Sequence, residues 1–264
     1  NNLLNICFLS LSSGLLILLR GEFIALFLLA IVYLKMFFKI NTKNIIILIF
    51  LTFIVISPYL ARNILVLETF TITKSIGYNL WKGNNPNATT GGNPNLGSNF
   101  KNEASNDKNY DIFDIQILQA EDSDLKKKLN NLPKNKYYDI NMDTIFLHEG
   151  IRHIKSDPIK YFNLYVKKIF SFLIVDFQST YPNYYHPLHF IPVMVIGIMS
   201  ILGIIVSDKK SHRLNFLILY FLINISVVSI FFILPRYSLA IIPLQIIFSN
   251  IFLEYINKRY FPKP

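Results

Sequence analysis

The sequence predicts an all-α integral membrane protein with about six transmembrane helices and an extracytoplasmic loop region that carries amphipathic helices. Three observations predict it. The 264 residues are 52% hydrophobic and only 16% charged, with 23 Phe, and mean hydropathy is +0.39, more apolar surface than a water-soluble core of this size needs. The apolar residues gather into six runs, 3–19, 23–38, 45–61, 188–206, 214–234 and 238–256, each near the roughly 17–25 residues that cross a hydrocarbon core as a helix. One long polar segment separates the third run from the fourth. The chain therefore divides into 1–61, with three crossings; 62–187, outside the cytoplasm; and 188–264, with three crossings and a cytoplasmic tail.

The first run contains Ser10, Ser12, Ser13 and Gly14, so a re-entrant or strongly buried segment is an alternative to a simple span. It is not a cleavable signal peptide, because no positive region precedes it and a second apolar run follows almost at once. Its start at Asn1, in mid-run, leads us to expect the tail of something longer. The single cysteine, Cys7, lies within this run and reads as a small hydrophobe; one cysteine allows neither a disulfide framework nor a cysteine metal site.

Orientation follows from the short connections. Lys35, Lys39 and Lys43 follow the second run, Lys209, Lys210 and Arg213 the fourth, and Lys258, Arg259 and Lys263 the last. Lys and Arg at such places favour the cytoplasmic side, which puts 62–187 on the opposite face. That segment carries 15 Lys+Arg against 13 Asp+Glu, so most of the formal +10 lies on the cytoplasmic rim. A basic protein of this kind has no basic stripe on a soluble face, and nucleic acid is excluded as a partner.

Two cations break the pattern. Arg20 in "LLRGEF" and Arg236 in "LPRYSL" fall at the extracytoplasmic boundary, where such a residue must snorkel, pair or bind something. Glu22 is a ready partner for Arg20; nothing acidic adjoins Arg236. The third run ends "ISPYLARN", which brings Pro58 and then Arg62 and Asn63 to the same boundary. Three arginines at one level of the bilayer suit a phosphate or anionic headgroup, since guanidinium forks match phosphate oxygens.

In the outer segment, residues from about 71 to 107 are rich in Asn, Gly, Pro, Ser and Thr, which favour turns over long helices, and they are expected to form a loop. Helices are expected over 111–129, 142–155 and 158–175. Asp157 is the expected N-cap of the last, with Pro158 at its first position. Ile159, Phe162, Val166, Ile169, Phe170 and Leu173 repeat at helical spacing, with Lys160, Asn163, Lys167, Lys168 and Ser171 elsewhere. The pattern reads as an amphipathic helix lying on the membrane and packing against the bundle.

The order "LLRGEF", "ISPYLARNILVLETFTITKSIGYNLWKGNNPNA", "FLHEGIRHIKSDPIKYFNLYVKKIFSF", "LPRYSLAIIPL" resembles the C-terminal half of GT-C glycosyltransferases. It is most similar to family 39, which includes bacterial protein mannosyltransferases and lipid A aminoarabinose transferases. That family's Gly-x-Asn-Leu-Trp-x-Gly-Asn pattern reads here as Gly77, Asn79, Leu80, Trp81, Gly83 and Asn84. The likeness is weakest over about 95–138, and the family's Arg-Pro-Glu turn is Arg20-Gly21-Glu22 here, without its helix-starting proline.

The resemblance implies transfer of a sugar from a polyprenyl-phosphate donor to a lipid, glycan or protein acceptor, at the outer face of a bacterial inner membrane, with no cofactor and no metal site assigned. It implies that Arg20, Arg62 and Arg236, with Glu22, Asn63 and Tyr237 beside them, hold the donor phosphate. Trp81 and Asn84 would line the mouth of the site, although a solvated connector explains the same loop. The family's general base lies in a first outer loop, upstream of Asn1, so residues 1–264 are expected to bind donor without transferring sugar. Three rival classes remain at this stage: another lipid-linked glycan enzyme, such as a ligase or polymerase; a non-catalytic membrane subunit; and a transporter, disfavoured because the spans lack charged groups near mid-bilayer.

Other patterns weigh less. His148 and His153 are five apart and do not share a helix face as a zinc helix requires. Asp122-x-Asp124 lacks a surrounding nucleotide fold, and His186 and His189 flank Pro187 at a membrane boundary. Asn87-Ala88-Thr89 is a glycosylation triplet of a kind common in Asn-rich loops. The predicted orientation is checked by thiol labelling in intact membranes: Ser98→Cys and Ser211→Cys are expected to react from opposite sides.

Overall fold

A computed structural model describes residues 2–73, 75–92, 122–177, 179, 184–208 and 211–261. The expected loop over 93–107 and the expected helix over 111–121 lie outside them. The described residues are helical, joined by turns, with a single isolated bridge between Thr89 and Gly92. They form two compact units, residues 1–74 with 210–227 and residues 75–209 with 228–264.

The first unit holds α1 (Asn2–Leu19), α2 (Phe23–Met36), α3 (Thr42–Leu67) and residues 212–227 of α9 (His212–Ser229). In α3 the buried positions are Ile45, Leu48, Thr52, Ile56, Leu60, Asn63 and Leu67, every third or fourth residue, and this stripe packs along α1. The opposite face shows Ile46, Phe50 and Phe53, so the helix is apolar all round, as a membrane span is. The helix does not end at the membrane boundary expected near Pro58: α3 runs on to Leu67 with Arg62 and Asn63 inside it. Proline lacks the N–H that would bond the Ile54 carbonyl. The Ser57 hydroxyl donates to that same carbonyl at 2.9 Å, which keeps the helix continuous in apolar surroundings.

Among the described residues, three helices are long and apolar enough to cross a membrane: α3, α8 (Pro187–Val206) and α9. The other three expected crossings do not meet that measure. α2 has 14 residues, about 21 Å at 1.5 Å per residue, short of a core of about 30 Å. The apolar part of α1 is likewise short. In the last run, 238–240 belong to a 3-10 turn (Pro235–Ala240), and α10 (Ile242–Tyr260) carries Gln245, Glu254, Lys258 and Arg259.

The second unit contains α4 (Ile76–Asn84), α5 (Ser123–Asn130), α6 (Tyr138–Ser156), α7 (Pro158–Leu173), α8, the 3-10 turn and α10. Helix α4 corrects the expectation of a continuous loop from 71. It lies along α6, while α8 lies along α10, where the Ser249 hydroxyl donates to the Ile196 carbonyl at 3.1 Å. Trp81 is fully buried with Leu125, Leu129 and Phe146, and Tyr78 packs on the same cluster. The Asp157 carboxylate caps α7 as expected, accepting the Lys160 N–H at 3.0 Å.

Helix α7 is apolar on two sides. Its buried side is Tyr161, Leu164, Lys168 and Phe172, so a lysine points in among apolar residues. Of the expected stripe, Ile159, Phe162 and Phe170 are 76%, 64% and 58% exposed, and Val166, Ile169 and Leu173 are half-buried.

Two glycines of the α4 pattern permit backbone contact. A Cβ at Gly77 would overlap the Asp143 carbonyl oxygen, and one at Gly83 would overlap the Phe231 carbonyl oxygen. Gly77→Ala and Gly83→Ala are each expected to destabilise the chain by about 1–3 kcal/mol. Gly91→Ala, whose new atom would meet nothing nearer than the Ile233 oxygen at 3.7 Å, is expected to stay within about 0.5 kcal/mol. Thermal unfolding in detergent micelles measures all three.

Candidate functional site

The site is built on α4. Nine residues that include two glycines and two asparagines make a poor isolated helix, and tertiary groups hold both its ends. At the N-terminus the Asp143 carboxylate of α6 accepts the Gly77 and Tyr78 N–H groups at 3.0 and 2.8 Å. Burial raises this carboxyl above its ordinary value, partly offset by the two N–H groups. At the C-terminus Lys168 of α7, fully buried, donates to the Gly83 carbonyl at 2.7 Å and to Asn84 Oδ1 at 3.3 Å. Burial pushes its pKa down to about 7. The Asn84 amide donates to the Leu80 and Ile230 carbonyls at 2.8 and 2.9 Å.

The polar stretch after α4 is folded. Asn85 is fully buried, its amide donating to the Lys82 carbonyl at 3.1 Å and its side-chain oxygen accepting the Asn87 N–H at 3.0 Å. Lys160 donates to the Pro86 carbonyl at 2.8 Å. A tight turn closes between Thr89 and Gly92, where Gly92 takes a positive φ of 97° that glycine adopts without strain. The buried Thr90 then makes two long-range bonds. Its hydroxyl meets the two Asp176 oxygens at 2.9 and 3.0 Å, and its carbonyl accepts the Ile233 N–H at 2.9 Å.

Both bonds end on one cavity of about 110 Å³, enclosed by α7, α8, α10, the 3-10 turn and residues 233–234. Its polar lining is Ser171, Asp176, Ser179, Tyr184, His189, Ser238 and Gln245, and the remainder is apolar. Asp176 is held from several sides: its N–H donates to the Tyr184 hydroxyl at 2.9 Å, and Tyr185 donates to its carbonyl at 3.2 Å. Gln245 satisfies the carbonyl of Leu173, at the end of α7, at 2.8 Å.

A second cluster lies on the other side of Trp81. Its indole N–H donates to Asp122 Oδ2 at 3.2 Å, and His153 Nε2 approaches the same oxygen at 2.8 Å. Burial favours the neutral form of Asp122, but the bonds from His153, Trp81 and the Leu125 N–H outweigh it and hold the carboxyl below its ordinary value. Glu149 is paired with Lys128 and Arg152. One ligand atom each from Asp122, Glu149 and His153 lies within 4.8 Å of the others. The histidine and two cations already serve these carboxylates, so a metal ion would have to displace Lys128 and Arg152. His153, expected on a helix surface, and Asp122, expected to be incidental, instead anchor the tryptophan.

No family model, curated protein or solved structure matches the chain. The motifs alone carry the resemblance, and the structure places their residues as follows. Arg20 pairs with Glu22, and burial raises the Glu22 carboxyl against the lowering effect of Arg20. Arg62 donates to Asn63 Oδ1 at 3.0 Å, and the Asn63 amide donates to the Thr71 carbonyl at 2.7 Å. A Cβ at Gly21 would stand 3.2 Å from Thr73, so residues 71–73 bring the Arg20 turn and Arg62–Asn63 to one end of the first unit. Arg236 and Tyr237 belong to the second unit, on the 3-10 turn; the Arg236 side chain is outside the described residues, and the Tyr237 ring lies 6.1 Å from that of Phe232. Trp81 and Asn84 are interior groups that brace the site rather than line its mouth.

Sequence reasoning missed Asp143, Lys168, Thr90 and Asp176. Lys168 carried one signal, since it interrupts an apolar row of Tyr161, Leu164 and Phe172 at helical spacing on α7. Its depressed pKa has a consequence. Above pH 10.5, the ordinary lysine value, both folded and unfolded chains are neutral at this position; between 10.5 and about 7 only the unfolded chain takes up the proton. Stability is therefore lost as pH falls through that window, and the penalty is complete below about 7. Lys168→Met is expected to remove this slope, read as the difference between wild-type and variant unfolding temperatures from pH 6.5 to about 10.5.

Proposed function

We propose that the chain acts in membrane glycosyl transfer, taking a sugar from a polyprenyl-phosphate donor on the extracytoplasmic face of a six-crossing protein in a bacterial inner membrane. The observation that supports this reading is a single junction. The segment that follows the α4 pattern and the segment that leads into the Pro235-Arg236-Tyr237 turn, the two patterns that most resemble the family, are joined by the bond between Thr90 and Ile233, and Ile233 lines one cavity. Nothing in composition or helix periodicity requires segments so far apart to meet.

The chemistry suits such a place. The donor's bond between anomeric carbon and phosphate oxygen breaks, the acceptor oxygen bonds to that carbon, and the acceptor's proton passes to a carboxylate base. The polyprenyl phosphate leaves with one more negative charge on its freed oxygen. Preorganised cations in a site shielded from water stabilise that growing charge, and we assign this role to Arg236, which belongs to the same 3-10 turn as the cavity-lining Ser238 and Leu239. Arg20 and Arg62, which the resemblance also assigns to phosphate, are engaged with Glu22 and Asn63 in the first unit. Arg20 keeps its place in that reading, with Glu22 as the group that orients it.

Donor binding in lipid nanodiscs tests the assignment. Arg236→Ala is expected to weaken binding of a polyprenyl-phosphate sugar about ten- to a hundredfold, the loss of a charge-assisted contact of about 1.5–3 kcal/mol. Arg236→Lys is expected to recover only part, because an ammonium keeps the charge and loses the fork. Three indistinguishable binding curves at matched protein would remove Arg236 from the site and favour a non-catalytic membrane subunit.

A further inference from the structure

We infer that the cavity beside the Pro235–Ala240 turn is a subsite for the neutral, hydroxyl-bearing sugar ring of the donor, with Asp176 as its principal hydrogen-bond acceptor. The inference rests on the glycosyl-transfer reading above and adds which part of the substrate the cavity takes.

Four features carry it. First, the charge is of the wrong sign for phosphate. Asp176 is 8% exposed and lines the cavity; an ionised carboxylate only accepts hydrogen bonds, and in a poorly hydrated site it repels an anion and favours hydroxyl donors. Second, the other polar groups are hydroxyl, imidazole and amide, contributed by Ser171, Ser179, Ser238, Tyr184, His189 and Gln245. These both donate and accept, as recognition of a polyol demands. Third, the apolar remainder offers cover for the C–H faces of a ring, in keeping with small-molecule sites that combine apolar walls with a few placed polar groups. Fourth, a volume of about 110 Å³ is several times the roughly 10–15 Å³ of this measure that admits one water, which leaves room for part of a sugar ring.

Position completes the argument. Ser238 and Leu239 of the 3-10 turn line the cavity, and Arg236 lies two residues before Ser238 on that turn. A phosphate held at the turn would present its sugar to the cavity, with the isoprenoid outside. Asp176 is fixed for the purpose by Thr90, so the folded segment after α4 acts on the sugar indirectly, by positioning the carboxylate.

The test compares two probes in nanodiscs, a polyprenyl-phosphate hexose and the same polyprenyl phosphate without sugar. Wild type is expected to prefer the sugar-bearing probe. Asp176→Asn, which keeps an oxygen for Thr90, is expected to weaken that probe about tenfold and leave the bare phosphate unchanged. Val193→Phe, which adds a ring to a lining residue and alters no polar group, is expected to do the same and carries the test where Asp176→Asn does not fold. If both probes bind wild type but the variants change neither, or change both equally, the subsite is wrong while the glycosyl-transfer reading stands. If neither probe binds wild type, both fall together.

Discussion

The second unit depends on the absence of one carbon atom. Because Gly83 has no side chain, the backbone of Phe231 lies directly on α4, and three further bonds become geometrically possible. Asn84 reaches the Ile230 carbonyl, Thr90 reaches the Ile233 N–H, and Lys168 covers the Gly83 carbonyl from the other side. Together they set where residues 230–234 end and hence where the Pro235 turn begins. A methyl group at Gly83 would push this contact apart, and every later bond would lengthen with it. The packing tolerates no such shift, since interiors close to crystal density transmit small displacements.

Electrostatics explains how so short a helix survives. The partial positive charge at a helix N-terminus favours an anion and the partial negative charge at its C-terminus a cation. α4 has Asp143 at the first end and Lys168 at the second. Both ions are supplied by other helices, so the same contacts that cap α4 also dock α6 and α7 against it. Desolvation opposes the arrangement, as the lowered Lys168 pKa shows. Hydrogen bonds to backbone offset it, and an uncapped buried terminus would be worse.

This division of labour explains what could be read in the sequence. The helical class, α7 with its Asp157 cap and the long spans α3, α8 and α9 come from periodicity and composition within one element, and they were legible. α4 was not, because its own residues argue for a loop and the groups that stabilise it lie 66 and 85 residues away in the chain, at Asp143 and Lys168. Trp81 misled in a related way: a lone tryptophan among amides suggested a sugar platform. Its N–H instead found Asp122 and its rings found Phe146. The family-like pattern marks the site, yet through glycine contacts and an interior tryptophan rather than through groups that meet a ligand. Asp176 carried no local motif at all; only Thr90, 86 residues earlier, marks it.

The outward apolar residues of α7 bear on the proposed membrane setting. A helix in water turns its apolar stripe inward, and α7 turns Ile159, Phe162 and Phe170 outward while burying a lysine. Water would penalise that choice twice, by exposing aromatic surface and by desolvating an ammonium. Lipid at the interface removes the first penalty, because the stripe then has an apolar partner, and the α4 carbonyls reduce the second. In the proposed reading α7 would lie at the membrane surface, and its C-terminal turn, where Ser171 and Leu173 border the cavity, would stand at the depth of the headgroups. The polyprenyl-linked donor proposed above would have its polar end at that depth and its chain in the hydrocarbon. Outward apolar residues that are unfavourable in a soluble fold would thus set the cavity at the level where such a substrate is divided.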